Sequence, residues 1–300
     1  MSSSNVVSVY EVSLRDGLQN ESSFLPTQQK LQLFDSLQNA GLKRIEVTSF
    51  VNPKWIPALA DAEALCAALR PNPGVRCSAL IPNAQGFERA RHSGVTEVAL
   101  ALSVSETHNK KNLNRSVSET IAEYAELVPE ILGAGLRVRA YVSTVWGCPY
   151  EGLMSIAASV RLVSKLIDLG CYQVSLGDTI GVATPLQTTS ALQHFGGAVG
   201  LHKIAMHMHD TRGTALANVA AGLELGVRDI DSSLGGLGGC PYAPGAAGNL
   251  CTEDLVYMLD GMGMSTGVDL SGLVAAARTA AGFVGHSLPG KLHQAGAWPP

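Results

Sequence analysis

The chain has 300 residues, 46% of them apolar and 15% charged, with 32 glycines and few aromatics. That composition supplies the core of one large domain, and a net charge of −4 argues against nucleic acid as the partner, since phosphate binding wants a basic face. No run approaches the roughly 20 consecutive apolar residues of a membrane helix, and Met1–Asn5 carries neither a basic nor an apolar leader, so the expectation is a cytoplasmic protein without membrane or nucleic-acid partners.

In chain order, runs rich in strand formers are predicted near Val6–Leu14, Arg44–Phe50, Val75–Pro82, Glu97–Val104, Arg137–Thr144, Tyr172–Thr179, Ile204–Asp210 and Asp229–Leu234. Helical periodicity fills the intervals. Leu31, Phe34, Leu37 and Ala40 recur at helical spacing before Gly41, and the pattern repeats over Ile156–Leu169 before Gly170 and over Ala215–Leu225 before Gly226. The helix–glycine–strand join also occurs at Gly94 and Gly135, where glycine ends a helix in the left-handed conformation at little cost. Eight strands alternating with helices make a parallel sheet, and its simplest closure is a (β/α)₈ TIM barrel. An open doubly wound sheet would place a G-x-G-x-x-G turn after the first strand; Leu14-Arg15-Asp16-Gly17 stands there instead. The reading is a single domain, with the barrel over about 6–263 and a C-terminal extension over about 264–300 that holds an Ala-rich helix (Leu273–Ala281) and a Pro/Gly-rich tail.

Six cysteines (Cys66, Cys77, Cys148, Cys171, Cys240 and Cys251) are scattered without a C-x-x-C, the pattern of free thiols in a reducing compartment. Barrel active sites lie at the C-terminal ends of the strands, so the polar residues there carry the functional reading. His207 and His209 stand two apart on a strand and point to one face, as a metal pair or as hydrogen-bonded core histidines. Asp16 and Asn249 would add oxygen donors, a set suited to Mg²⁺ or Mn²⁺. Arg15 is a surface ion-pair partner or a fixed cation for an anionic intermediate. Glu46 and Asp178 are salt-bridge partners of Arg15 or proton handlers. The glycine-rich run from Gly235 to Asn249 is a plain connection or a mobile lid, and its Cys240 an inert thiol or a proton carrier.

Several of these segments resemble one known family. Glu11-Val-Ser-Leu-Arg15-Asp16-Gly17-Leu-Gln19-Asn20-Glu21, Glu46-Val-Thr-Ser-Phe50, Gly147-Cys-Pro-Tyr-Glu-Gly152, Ser175-Leu-Gly-Asp178-Thr-Ile-Gly181, His207-Met-His209-Asp-Thr-Arg-Gly213 and Cys240 followed by Asn249-Leu-Cys-Thr-Glu-Asp254 are similar to the motifs of 3-hydroxy-3-methylglutaryl-CoA lyases. The resemblance spans about Val6–Gly263. It implies a TIM barrel whose divalent metal is held by Asp16, His207, His209 and Asn249. It also implies catalytic roles for Arg15, Cys240 and His207, with Glu46 and Asp178 close by, and a substrate-binding set of Arg15, Gln19, Lys111 and Asn112. The implied reaction is carbon–carbon cleavage of an acyl-CoA thioester, with citramalyl-CoA or a longer branched homologue as alternative substrates. A condensing acyltransferase of the isopropylmalate or homocitrate synthase type is the alternative reaction. Two departures stand out: Thr107-His-Asn109 interrupts an otherwise matching segment, and the cysteine found near the C-terminus of the animal enzymes is missing, the last one here being Cys251. A homodimer is the working expectation for assembly.

Overall fold

The computed structural model describes residues 5–21, 24–238, 248–296 and 298. Cys240 and the rest of the stretch 239–247 lie outside the described residues. The predicted strands appear as β1 (Ser8–Glu11), β2 (Arg44–Ser49), β3 (Arg76–Leu80), β4 (Glu97–Ser103), β5 (Arg137–Ser143), β6 (Gln173–Asp178), β7 (Ile204–Met208) and β8 (Asp229–Ser232). All pair in parallel in sequence order, and β1 closes the ring by pairing with both β2 and β8. This is the expected (β/α)₈ barrel.

Helices α1 (Thr27–Asn39), α2 (Ala62–Ala68), α3 (Ala84–Ala90), α4 (Glu106–Leu113), α5 (Val117–Gly133), α6 (Ile156–Leu169), α7 (Pro185–Val199), α8 (Ala215–Leu225) and α9 (Thr252–Gly261) follow the strands, and α10 (Leu270–Val284) and α11 (Leu292–Ala295) follow them. Their ends obey local chemistry. Ser116 and Glu119 form a reciprocal capping box at the start of α5, as Thr184 and Gln187 do at α7. Gly170 and Gly226 close α6 and α8 at φ +114° and +104°, which explains the recurring helix–glycine–strand join. No helix among the described residues is long and apolar enough to cross a membrane.

The main core lies between the strands and the helix layer, around residues such as Leu33, Phe34, Val47, Val98, Leu176 and Leu223. Inside the barrel the filling is unusually polar. Arg139 is fully buried, pairs with Asp231 (2.5 Å) and lies over the rings of Tyr10 (4.1 Å) and Tyr141 (5.0 Å). Nearer the N-terminal ends of the strands, Arg44 donates to Asp229, to the Tyr172 hydroxyl and to Gln173. Paired charges of this kind are the form in which charge survives burial.

Two strand ends differ from the sequence reading. The first strand was expected to run to Leu14, but β1 stops at Glu11 and Ser13–Gly17 wind into one π-helical turn. There the Val12 carbonyl accepts the amides of Arg15, Asp16 and Gly17, and Gly17 packs closely on Leu237 and Ser233. Strand β7 stops at Met208, so His209 lies one residue beyond it, in an isolated bridge with Asn249. Single π turns of this kind are common at functional sites.

Candidate active site

The C-terminal mouth of the barrel opens into a cavity of about 570 Å³. Arg15, Asp16, Gln19, Asn112, His207 and His209 line it. The π turn exists to aim Arg15 and Asp16 side by side into this mouth, which no regular strand would do, since neighbours on a strand point to opposite faces.

Asp16, His207 and His209 each offer one ligand atom, and these atoms lie within 4.8 Å of one another. His207 Nε2 stands 3.9 Å from Asp16 Oδ2, while its Nδ1 faces Asp231 Oδ2 at 3.2 Å. Asp231 thus fixes the ring and leaves Nε2 for the cluster, the usual outer support of a metal-binding histidine. The Nδ1 of His209 is buried with no hydrogen-bond partner among the described residues. Asn249 completes the group: its Nδ2 donates to Asp16 Oδ2 (2.7 Å) and to the Leu237 carbonyl (3.1 Å). The approach is so close that a Cβ on Gly238, at φ +113°, would stand 2.5 Å from Asn249 Nδ2. Two imidazoles, a carboxylate and an amide are a donor set that fits a divalent cation of intermediate hardness.

Electrostatics agree with this fit. Burial, with His207 and Arg15 adjacent, holds the His209 imidazole down to about 4 against the pull of Asp16, so it is neutral at pH 7 and able to ligate. Burial alone would raise the Asp16 carboxyl, but Arg15 and the two histidines hold it well below the usual carboxylate range. Arg15 loses solvation by burial and is kept charged by Glu46 and Asp16. Its Nε donates to Glu46 Oε2 at 2.5 Å, its Nη1 pairs with Asp16, and its guanidinium lies 5.2 Å from the Tyr141 ring centre. The Tyr141 hydroxyl donates to the same Glu46 oxygen (3.1 Å) and its ring meets His207 edge-on. A register shift between Glu46 and Thr48 in the β2–β3 pairing falls at this point, as bulges next to active sites often do.

The remaining sequence candidates divide. Glu46 pairs with Arg15 and Asn249 with Asp16, both of which line the cavity. Asp178 is buried and turns its two carboxylate oxygens to the amides of Val182 (2.9 Å) and Ala183 (3.0 Å), so it does not pair with Arg15. It holds a loop whose Gly181 packs on the His209 carbonyl. Lys111 is exposed and lies over the Tyr150 ring at 4.8 Å, outside the cavity lining that Asn112 joins. Cys240 lies outside the described residues.

Sequence reasoning missed Asp231, Arg139, Tyr141 and Glu11. The carboxylate of Glu11 accepts from Ser13 N (2.8 Å), Leu234 N (2.9 Å) and Thr252 Oγ1 (2.6 Å), joining the π turn to the segments that flank Asn249. The available signal was a charged or aromatic residue at every second position of an otherwise apolar strand, as in Arg137, Arg139 and Tyr141.

The chain matches the HMGL-like family over residues 6–280. It is 45% identical over 285 residues to the hydroxymethylglutaryl-CoA lyase of Bacillus subtilis (strain 168), covering 95% of each chain. It is 48% identical over 270 residues to the mitochondrial hydroxymethylglutaryl-CoA lyase of Bos taurus, covering 90% of this chain and 83% of that one. Among solved structures, the HMG-CoA lyase of Acinetobacter baumannii in complex with coenzyme A and 3-methylmalate superposes with a TM-score of 0.95 at 39% identity, covering 100% of this chain and 98% of that one.

Proposed function

Because the chain belongs to the HMGL-like family, we propose that it cleaves the C2–C3 bond of 3-hydroxy-3-methylglutaryl-CoA, or of a close 3-hydroxyacyl-CoA homologue, to acetyl-CoA and acetoacetate. The observation that carries this reading is the convergence of Asp16, His207 and His209 beside Arg15 in one cavity. We assign these three, with Asn249, as the ligands of Mg²⁺ or Mn²⁺. A divalent ion so held supplies Lewis acidity toward the 3-hydroxyl of the substrate and so eases loss of its proton.

The residues of the chain do the rest. Loss of the hydroxyl proton lets the C3–O bond become a carbonyl while the C2–C3 pair of electrons moves onto the thioester as an enolate. Arg15, fixed between Glu46 and Asp16, places a charged donor where that enolate oxygen develops, a preorganised contact that costs no rearrangement. Glu46 is the carboxylate we assign to take the hydroxyl proton: burial raises it above the ordinary value against the opposing pull of Arg15, and its Oε1 has no hydrogen-bond partner among the described residues. Asp178 is assigned to holding its loop. Cys240 is assigned, on its sequence position alone, as the donor that protonates the enolate carbon to acetyl-CoA. Gln19 and Asn112, on the cavity wall, are assigned to substrate binding, and so is the neighbouring, exposed Lys111. The Acinetobacter relative holds coenzyme A together with a carboxylate-bearing hydroxy acid, and the same two ligand chemistries are proposed here.

The test is to assay both directions with Mg²⁺ or Mn²⁺. Acetyl-CoA should form from 3-hydroxy-3-methylglutaryl-CoA faster than from citramalyl-CoA or longer branched 3-hydroxyacyl-CoA thioesters. No thiol should be released from acetyl-CoA mixed with 2-oxo acids. The opposite pattern would make the protein a condensing acyltransferase.

A further inference from the structure

The C-terminal segment beyond α10 does more than cover the barrel. It returns to the turn Leu234–Gly236, which follows β8 and precedes the Leu237 carbonyl that holds Asn249. Both backbone polar groups of Gly235 are taken from the same side: its N–H donates to Glu253 Oε2 (2.9 Å) and its carbonyl accepts from Gly290 N (3.0 Å). Gly235 and Gly236 have φ of +63° and +71°, and a Cβ on them would lie 2.2 Å from Leu288 Cδ1 and 3.0 Å from Pro289 Cγ. The turn is therefore moulded on Leu288–Gly290.

The segment is itself anchored. Asp254, in the first turn of α9, accepts the amides of Lys291 and Leu292, and the His293 carbonyl accepts from Arg278 Nε. His293 then faces inward, with Nδ1 3.4 Å from Glu253 Oε1; both residues are buried, and these two atoms face each other with no hydrogen-bond partner among the described residues. One carboxyl group thus spans the two: Oε2 on Gly235, Oε1 toward His293. Two further links join this turn to the Asn249 segment: Ser233 N donates to the Leu250 carbonyl (2.8 Å) and Thr252 N to the Ser233 carbonyl (3.0 Å).

We propose that His293 is a positioning residue of the active site: it locks Glu253, Glu253 locks Gly235, and the locked turn fixes Asn249 against Asp16. The inference rests on the reading of Asn249 and Asp16 as metal ligands. Burial raises the Glu253 carboxyl to about 7 and lowers the His293 imidazole, so burial favours the neutral form of each. A side chain at 293 without a polar atom leaves Glu253 Oε1 facing an apolar wall. The carboxyl then gains by rotating, and the Gly235 bond is lost with it.

The experiment compares His293→Leu with His293→Asn, whose amide puts a polar atom at the reach of Nδ1. Mn²⁺ affinity is measured by calorimetry without acyl substrate, and kcat and KM are measured with 3-hydroxy-3-methylglutaryl-CoA, all below the melting transition. His293→Leu should bind Mn²⁺ about tenfold more weakly and lose about tenfold in kcat with KM nearly unchanged, the scale of one buried hydrogen-bonding group left unpaired. His293→Asn should recover most of both. Wild-type Mn²⁺ affinity in a folded His293→Leu, or equal losses in the two variants, would overturn the proposal. If His293→Leu does not fold, His293→Ala takes its place, its side chain having no polar atom; the same two outcomes decide. The Mn²⁺ readout stands even if the wild-type protein fails to cleave the thioester, a result that would count against the proposed reaction alone.

Discussion

Arg15 illustrates how far a single residue can be read. Its sequence position beside Asp16 left open a surface ion pair or a fixed cation, and the structure places it buried between Glu46 and Asp16 with Tyr141 alongside. Arg15→Gln removes no proposed ligand, so the variant should fold and bind Mn²⁺. Its turnover should fall by roughly 10²–10⁴-fold, about the cost of deleting one preorganised oxyanion contact. Arg15→Lys should recover only part, because an ammonium cannot reproduce the planar fork held by Glu46. Steady-state kinetics decide this, and turnover near that of the wild type for Arg15→Gln would remove the residue from the mechanism. His207 and His209 were legible because their spacing alone puts them on one face. Asp231 was not, because an acid on a strand names no partner. Only the β7–β8 register, which sets Asp231 opposite His207, reveals what it holds. For cysteine the structure sharpens the sequence reading. The described cysteines, at 66, 77, 148, 171 and 251, are all buried, and burial pushes the Cys66 and Cys171 thiols up to about 12. Alkylation that abolishes activity should therefore map by mass spectrometry to Cys240, and inactivation that follows one of the buried thiols instead would withdraw its assignment as proton donor.

At the scale of elements, periodicity and glycine placement predicted the strands and helices, and it was the non-repetitive pieces that escaped. The π turn is one. Val6–Leu14 keeps an apolar, strand-like composition through the point where the chain leaves the sheet, and the departure is imposed by contacts remote in sequence. Gly17 meets the Leu237 and Ser233 side chains so closely that a Cβ would lie 2.9 Å from each. Gly17→Ala should push this turn away from the segment that carries Asn249. The expected loss is about 1–3 kcal/mol of stability, the usual cost of overpacking, together with weaker Mn²⁺ binding. Denaturant titration with and without Mn²⁺ measures both; an unchanged midpoint would mean that the contact relaxes freely and that the glycine is not required there. The C-terminal extension is the other piece. Its Ala-rich helix was visible, as α10, but the return of Leu288–Gly290 to Gly235 depends on shape and backbone bonds that leave no pattern in the sequence.

For the whole molecule, the barrel followed from alternation of strand and helix signals, whereas its polar interior followed from nothing in composition. Charge buried in this way makes stability depend on pH. Glu253, raised to about 7 by burial, binds its proton more tightly in the folded chain than in the unfolded one. Its contribution is therefore fully present below the ordinary carboxyl range and is lost as pH rises through about 7. The groups around it are His293, whose imidazole burial lowers, the Cys251 thiol, which burial raises, and Asp254. Glu253→Gln should therefore gain in melting temperature relative to the wild type between pH 5 and pH 8, as calorimetry would record; a difference independent of pH would show that Glu253 is ionised throughout. The central claim concerns the bond that breaks. With Mn²⁺ and 3-hydroxy-3-methylglutaryl-CoA carrying ¹³C in its 3-methyl group, NMR of the products should find the label in acetoacetate and none in acetyl-CoA, formed in equal amounts. Label retained in free 3-hydroxy-3-methylglutarate, from hydrolysis of the thioester with the carbon skeleton intact, would contradict it.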